Sequence, residues 1–318
     1  MRVRAKRVMP LKDSSPFPKP AALRQTERKP SPTPDLSAGH SARRRQEIHM
    51  RVGIIQMNII KGDKNANKNT VAEKVAAIMR NDCPPQVIVL PELWSTGYDL
   101  EHANSLATPF GEDEAIFLGS LARKYHVAFA GGSVLSRYAG KIFNRAQIID
   151  EKGAYAGGYD KIHLFRLMGE ERFLAAGKPA VPFTLHGVRC ACIICYDLRF
   201  CELPRKLAVE GAEILFVSAE WPLARKEHWF TLVRARAIEN QMFVVACNRC
   251  GITEQEQFGG NSMIVAPDGR LLAHADEEES LLCAGLDLAL VRKTREHIRV
   301  LEDRVPDAYR HEEKNQAM

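Results

Sequence analysis

Cys195 closes the apolar run Ala191-Cys192-Ile193-Ile194 and is followed at once by Tyr196-Asp197-Leu198-Arg199-Phe200-Cys201-Glu202-Leu203. A β-branched apolar run that stops abruptly at charged residues reads as a buried strand delivering its last side chain to a cleft, with a helix beginning just beyond. A nucleophile belongs at such a point, although a lone strand-end cysteine is more often a small core residue. Two further segments add partners. The run 87–90 ends in Pro91-Glu92-Leu93-Trp94-Ser95-Thr96-Gly97-Tyr98, which sets a carboxylate at the end of a second buried strand. Tyr159-Asp160-Lys161-Ile162-His163-Leu164-Phe165 sets a lysine among apolar and aromatic residues, where an unpaired ammonium is costly. Three strand-end segments thus offer a carboxylate, an ammonium and a thiol.

These segments need elements to hold them. Apolar runs at 52–57, 87–90, 127–130, 146–149, 190–194, 214–217, 243–247, 263–266 and 281–286 read as strands, and the stretches 70–79, 112–125, 202–210 and 227–238 carry helical periodicity. The alternation indicates an α/β layer fold, with no internal repeat at a fixed short period. In 227–238, Leu232, Ala235 and Ile238 fall close to one face, and the stretch reads as a core-packing helix with salt-bridged arginines rather than a nucleic-acid patch. Gly131-Gly132-Ser133 is followed by no Gly-Lys-Ser/Thr sequence and no helix signal, so it lines a cleft or turns the chain instead of cradling a phosphate. Gly259-Gly260-Asn261 leads into an apolar run that ends at Pro267-Asp268-Gly269, a strand entering a turn. Cys192-x-x-Cys195 and Cys247-x-x-Cys250 have zinc-like spacing. Strand alternation sends residues i and i+3 to opposite faces, so no metal site is expected.

Leu90-Pro91-Glu92, Tyr159-Asp160-Lys161-Ile162-His163-Leu164 and Cys195-Tyr196-Asp197-Leu198-Arg199-Phe200 together resemble, in order and spacing, the three signature segments of the nitrilase, or carbon-nitrogen hydrolase, superfamily. The resemblance covers about residues 50 to 300. It implies a four-layer α-β-β-α sandwich, commonly dimeric, and an amide hydrolase working through a cysteine thioester without metal or organic cofactor. Carried over residue by residue, Cys195 attacks the carbonyl carbon and Glu92 takes the thiol proton. Lys161 and the peptide N–H of Tyr196 hold the oxyanion, ammonia leaves, and Glu92 activates water against the thioester. The family's second glutamate, which positions the lysine and substrate, falls in Leu167-Met168-Gly169-Glu170-Glu171-Arg172-Phe173. Glu170 is favoured there over Glu171.

Nitrilases of the superfamily usually place Trp-Glu after the nucleophile, whereas Tyr196-Asp197-Leu198-Arg199-Phe200 is similar to the amidase-type branches. Combined with His163-Leu164-Phe165 it is similar to omega-amidases, which hydrolyse the terminal amide of 2-oxoglutaramate or 2-oxosuccinamate. A substrate with a far-end carboxylate suits a guanidinium fork, and Arg199 is placed to supply one; the other reading pairs Arg199 structurally with Asp197 or Glu202. Tyr98, Tyr196 and Trp221 complete the candidate substrate-binding set, Tyr98 and Trp221 as pocket walls or as buried bulk. The alternative activity is N-carbamoyl amide hydrolysis, which uses the same three residues. From another class, a non-catalytic interaction protein using the basic tail conflicts with retention of Glu92, Lys161 and Cys195 together.

The formal net charge of +6 over 318 residues is unevenly distributed. Residues 1–49 hold 12 Lys/Arg, 4 Asp/Glu and 7 of the 17 prolines, leaving 33 Lys/Arg against 35 Asp/Glu in the remainder. That distribution removes the case for a nucleic-acid partner of the main body. The expected organisation is a disordered basic extension over 1–49, a hydrolase domain over 50–305 and a C-terminal tail over 306–318. Met50 opens the first strand as a physiological start would. A targeting peptide and a nucleic-acid arm around Arg43-Arg44-Arg45 are the rivals. No apolar run approaches the roughly 18 residues of a membrane span. Eight cysteines with no secretory segment point to reduced thiols in the cytoplasm. The expected partners are a small-molecule amide and a second copy of the chain, as a homodimer or higher homo-oligomer.

Overall fold

The computed structural model describes residues 49–254 and 256–309. Apart from His49, the extension expected over 1–49 lies outside the described residues, as do residues 310–318 of the tail.

Two mixed sheets form the centre. The first is built from β1 (His49–Gln56), β2 (Val87–Val89), β3 (Thr108–Pro109), β4 (Ala128–Tyr138), β5 (Lys141–Ile149) and β6 (Tyr155–Asp160). The second takes β7 (Phe183–Leu185), β8 (Val188–Ile194), β9 (Ile214–Ala219) and β10 (Phe243–Asn248), and β11 (Cys250–Ile252) and β12 (Gln257–Gly259) form a separate ribbon. β13 (Met263–Val265) and β14 (Leu271–His274) finish the second sheet, while β15 (Ser280–Asp287) returns to the first. The strand orders are β15-β1-β2-β4-β5-β6, with β3 beside β4, and β14-β13-β10-β9-β8-β7. β1, β2 and β4 run parallel, as do β8, β9 and β10.

Alternation along these strands makes the layers. Val52 and Ile54 of β1, Val87 and Val89 of β2 and Ala128 and Ala130 of β4 join Ile214, Phe216 and Val244 of the second sheet in one core. Ile55, Ile88 and Phe129 point the other way, onto Val71, Val75 and Ile78 of α1 (Lys64–Ile78) and Leu118, Leu121 and Ala122 of α3 (Glu112–Tyr125). The short α2 (Ala103–Leu106) and α4 (Glu170–Phe173) lie in loops. α5 (Glu202–Val209) and α6 (Lys226–Asn240) pack Leu203, Leu207, Val233 and Ala237 into the core with the second sheet. α7 (Ala289–His297) follows β15. Helices outside both sheets give the α-β-β-α sandwich. Among the described residues no helix is long and apolar enough to cross a membrane.

One local expectation needs correction, and another narrows to one of its readings. The buried face of α6 is Trp229, Val233, Arg236, Ala237 and Asn240, while Ile238 is 49 % exposed. Arg236 turns inward because its guanidinium donates to the Leu198 carbonyl at 2.8 and 3.0 Å and pairs with Glu239 at 2.8 Å, so a polar side chain occupies the inner stripe. Gly131-Gly132-Ser133 does not turn the chain; of its two readings the cleft lining holds, since Ser133 bonds to the residues on either side of Glu92. The segment lies within β4, where the register against β5 shifts between Ala130 and Ser133.

Candidate active site

The carboxylate comes from the loop beyond β2. Leu93 adopts φ 43° and donates its N–H to Ser133 Oγ at 2.9 Å, while the Ser133 N–H reaches the Pro91 carbonyl at 3.2 Å. The β4 bulge therefore clasps both sides of Glu92 and aims it inward. Gly132 makes this approach possible, because a Cβ there would meet the Pro91 oxygen at 2.2 Å. The ammonium stands one residue beyond β6, with the Lys161 N–H bonded to the Asn144 carbonyl at 2.9 Å. The thiol stands one residue beyond β8, at the head of a 3-10 turn over Cys195–Arg199. Cys195 is held at φ 45°, a left-handed conformation that costs a non-glycine residue about 1–3 kcal/mol and recurs where side chains are set out for chemistry.

Glu92, Lys161 and Glu170 are all fully buried. Lys161 Nζ lies 2.8 Å from Glu92 Oε1 and 2.7 Å from Glu170 Oε1. The Tyr98 hydroxyl sits 2.9 Å from Glu92 Oε1 and 2.8 Å from Glu170 Oε1; with one proton, it donates to one carboxylate at a time. Asn144 Nδ2 donates to Glu92 Oε1 at 2.8 Å, and the Glu220 N–H donates to Glu92 Oε2 at 3.0 Å. The Phe165 N–H donates to Glu170 Oε2 at 2.6 Å. Two buried carboxylates against one ammonium leave an excess negative charge, and these neutral donors stabilise it.

Burial opposes the charge on Lys161, but Glu170 and Glu92 outweigh it and hold its pKa well above the usual lysine value. Burial raises Glu170, against the pull of Lys161. The Cys195 thiol is driven well above its ordinary value by burial and then by the negative charge of Glu92, with Lys161 pulling the other way. Cys195 therefore rests as a neutral thiol among charged neighbours. Burial also raises Tyr98, with Glu170 and Glu92 adding to the effect.

Glu170 is thus the glutamate brought to Lys161, while its neighbour Glu171 is exposed. Tyr98 does more than form a wall, since its hydroxyl bridges the two carboxylates. Tyr196, half-buried, packs its ring edge-on against Phe200 at 5.2 Å. Its N–H belongs to the first turn of a 3-10 segment, a position without a partner inside the turn. Trp221 is buried, its Nε1 bonded to the Arg225 carbonyl at 2.9 Å. Arg199 does not pair with Asp197 or Glu202. Its guanidinium stacks over Trp221 at 4.6 Å, with both terminal nitrogens 3.3 Å from His228 Nδ1. No carboxylate pairs with Arg199 among the described residues, because Asp197 is engaged by Tyr159, His163 and Ile194.

Three contributors were not read from the sequence. Asn144 reaches Glu92 across 52 residues of chain, and only a polar residue inside the β5 stretch marks it. Glu220 and Arg249 form a buried ion pair at 2.6 Å. Glu220 follows the run 214–217 as Glu92 follows 87–90, and the same strand-end signal would have found it. A cavity of about 350 Å³ opens beside Tyr98, lined also by Leu100, Met168, Phe173, Arg249 and Phe258. Its mixed walls suit a small ligand with polar ends. Among the described residues no three His, Cys, Asp or Glu side chains are grouped to hold a metal ion.

Comparison with known proteins bears on this arrangement. Residues 51–296 match the carbon-nitrogen hydrolase family. The 2-oxoglutaramate amidase of Bacillus subtilis is 44 % identical over 223 residues, covering 70 % of this chain and 86 % of the relative. Omega-amidase YafV of Escherichia coli K12 is 31 % identical over 257 residues, covering 80 % and 96 %. The crystal structure of a carbon-nitrogen hydrolase from Helicobacter pylori G27 superposes with a TM-score of 0.78 at 25 % identity, over 83 % of this chain and 97 % of that one.

Proposed function

Since this chain belongs to the carbon-nitrogen hydrolase family and is an amidase, we propose that it hydrolyses the terminal amide of a 2-oxo acid amide, 2-oxoglutaramate foremost, to ammonia and the 2-oxo dicarboxylate. The observation that carries the chemistry is Lys161 held between Glu92 and Glu170, with the buried Cys195 thiol close enough to feel the Glu92 and Lys161 charges. The substrate is supported by the relatives named for 2-oxoglutaramate and for omega-amides.

The neutral thiol makes proton removal part of the attack. As Cys195 Sγ closes on the amide carbon, Glu92 accepts the thiol proton, so the thiolate never exists uncompensated in a buried site. Negative charge moves to the carbonyl oxygen, where the Lys161 ammonium and the Tyr196 N–H stabilise it. Glu92 returns the proton to the departing nitrogen, leaving a thioester and ammonia. Water then enters, gives a proton to Glu92 and attacks the thioester carbon, which releases the carboxylic acid and restores the thiol. Glu170 keeps Lys161 charged and fixed throughout. Because Lys161 is bound by carboxylates on two sides, it acts as a fixed cation and not as a base.

For the far end of the substrate we assign Arg199. Stacked on Trp221 without a carboxylate partner among the described residues, its guanidinium can bind an incoming carboxylate. Arg199→Ala is expected to raise KM for 2-oxo acid amides about 10–100-fold while sparing neutral amides. Equal loss on both classes, in steady-state ammonia assays, would remove Arg199 from the assignment. The assembly that accompanies this reading is a homodimer in the cytoplasm, and sedimentation of the purified chain at micromolar concentration tests the oligomeric half.

A further inference from the structure

Asp197 stands two residues beyond Cys195 in the same 3-10 turn and is fully buried. Its Oδ2 accepts from the Ile194 N–H at 3.0 Å and from the Tyr159 hydroxyl at 2.8 Å. Its Oδ1 accepts from the His163 N–H at 3.2 Å and, with the ring protonated there, from His163 Nδ1 at 2.8 Å. Ile194 immediately precedes the thiol. Tyr159 and His163 flank Lys161, two residues to either side. One carboxylate thus ties the strand end that presents the thiol to the segment that presents the ammonium.

The surroundings make this tie rigid. The Tyr159 hydroxyl also accepts the Ile162 N–H at 3.2 Å, and the His163 ring stacks on Phe200 with centroids 3.6 Å apart. Burial, then the Asp197 charge, raises the Tyr159 hydroxyl far above its usual value, so it remains a donor. All four groups facing Asp197 donate. An asparagine would set its NH2 against a fixed backbone N–H whichever way it turned, that of Ile194 on one side or of His163 on the other.

We propose that Asp197 is a positioning residue for amide hydrolysis, setting Cys195 against Lys161 by holding Ile194, Tyr159 and His163 at once. It acts through its neighbours and touches no reacting atom. The inference rests on the reading of Cys195 and Lys161 given above.

Full-length Asp197→Asn, Tyr159→Phe and the double variant test it through two readouts. One is kcat and KM for 2-oxoglutaramate per folded molecule. The other needs no substrate: the rate of iodoacetamide alkylation at Cys195 at pH 8, followed by peptide mass, with exposed Cys201 as the internal control. Asp197→Asn is expected to lower kcat about 100-fold with KM within about threefold, the signature of misplaced groups and not of lost binding. Alkylation of Cys195, but not of Cys201, should slow because Lys161 no longer favours the thiolate. Tyr159→Phe should cost about tenfold in kcat and nothing further in the Asp197→Asn background, because both act through one carboxylate. If Asp197→Asn does not fold, Tyr159→Phe carries the test with its melting temperature measured beside its kcat. A lowered melting temperature with unchanged kcat and unchanged Cys195 alkylation would overturn the inference. Slowed alkylation in a protein whose wild type ignores 2-oxoglutaramate would uphold the positioning role and overturn only the substrate.

Discussion

Glu170 and Glu171 are adjacent in sequence and opposite in environment, one bound to Lys161 at 2.7 Å and the other exposed. Glu170→Gln is expected to lower kcat about 100-fold or more, because it removes one of two charges holding the ammonium, whereas Glu171→Gln should stay within about twofold; ammonia release from the two purified variants decides. Glu220 offers a pH test. Burial lifts its carboxyl to about 7 despite the opposing pull of Arg249, so between its unfolded value near 4.5 and about 7 the folded state binds the extra proton. Stability from this group is therefore greatest at the acid end and is lost as pH rises through about 7, by on the order of 3 kcal/mol. The melting temperature of wild type minus that of Glu220→Gln should fall between pH 5 and 7.5, and a flat or rising difference would contradict the assignment. At this scale the sequence showed Glu92 and Cys195 because each follows an apolar run with a chemically expensive residue, and Lys161 because an ammonium stands there among apolar and aromatic neighbours. Asn144, Arg249 and the true surroundings of Arg199 depend on contacts between distant segments, for which a single chain carries no local signal.

Gly132 shows how an element serves the site. At φ 65°, with Pro91 carbonyl oxygen where a Cβ would stand, Gly132→Ala should destabilise the protein by more than about 1–3 kcal/mol and lower kcat by shifting Glu92; thermal melting and turnover check the two parts separately. The nine strands anticipated from apolar runs all exist, and 112–125 is helical over the expected span, because long periodic segments leave little ambiguity. The short strands were not legible. β6 reads Tyr155-Ala156-Gly157-Gly158-Tyr159-Asp160, where two glycines hide the strand. α1 begins at Lys64, well before the apolar residues announce it, because Asp63 caps it by accepting the Ala66 N–H at 2.9 Å. The inner face of α6 was misread because Arg236 and Asn240 occupy it.

Across the whole molecule, the strand ends of two packed sheets converge on one buried cluster: Glu92 after β2, Lys161 after β6, Cys195 after β8 and Glu220 after β9. The layered architecture was legible because helices and strands alternate, but which strands would be neighbours was not. A chain begun at Met50 retains every pair of β1 with β15 except that of His49 with Asp287, along with all the site residues. Its kcat is expected to stay within about twofold of the full chain, and a larger loss would assign residues 1–49 a part in catalysis. The central claim is tested most directly by ammonia release from 2-oxoglutaramate, measured for the wild type and Cys195→Ala with a carbamoyl-amino acid and a simple aliphatic amide beside it. Turnover of 2-oxoglutaramate well above both controls, abolished in Cys195→Ala, is the predicted result. Activity confined to the carbamoyl substrate, or turnover surviving loss of the thiol, would contradict it.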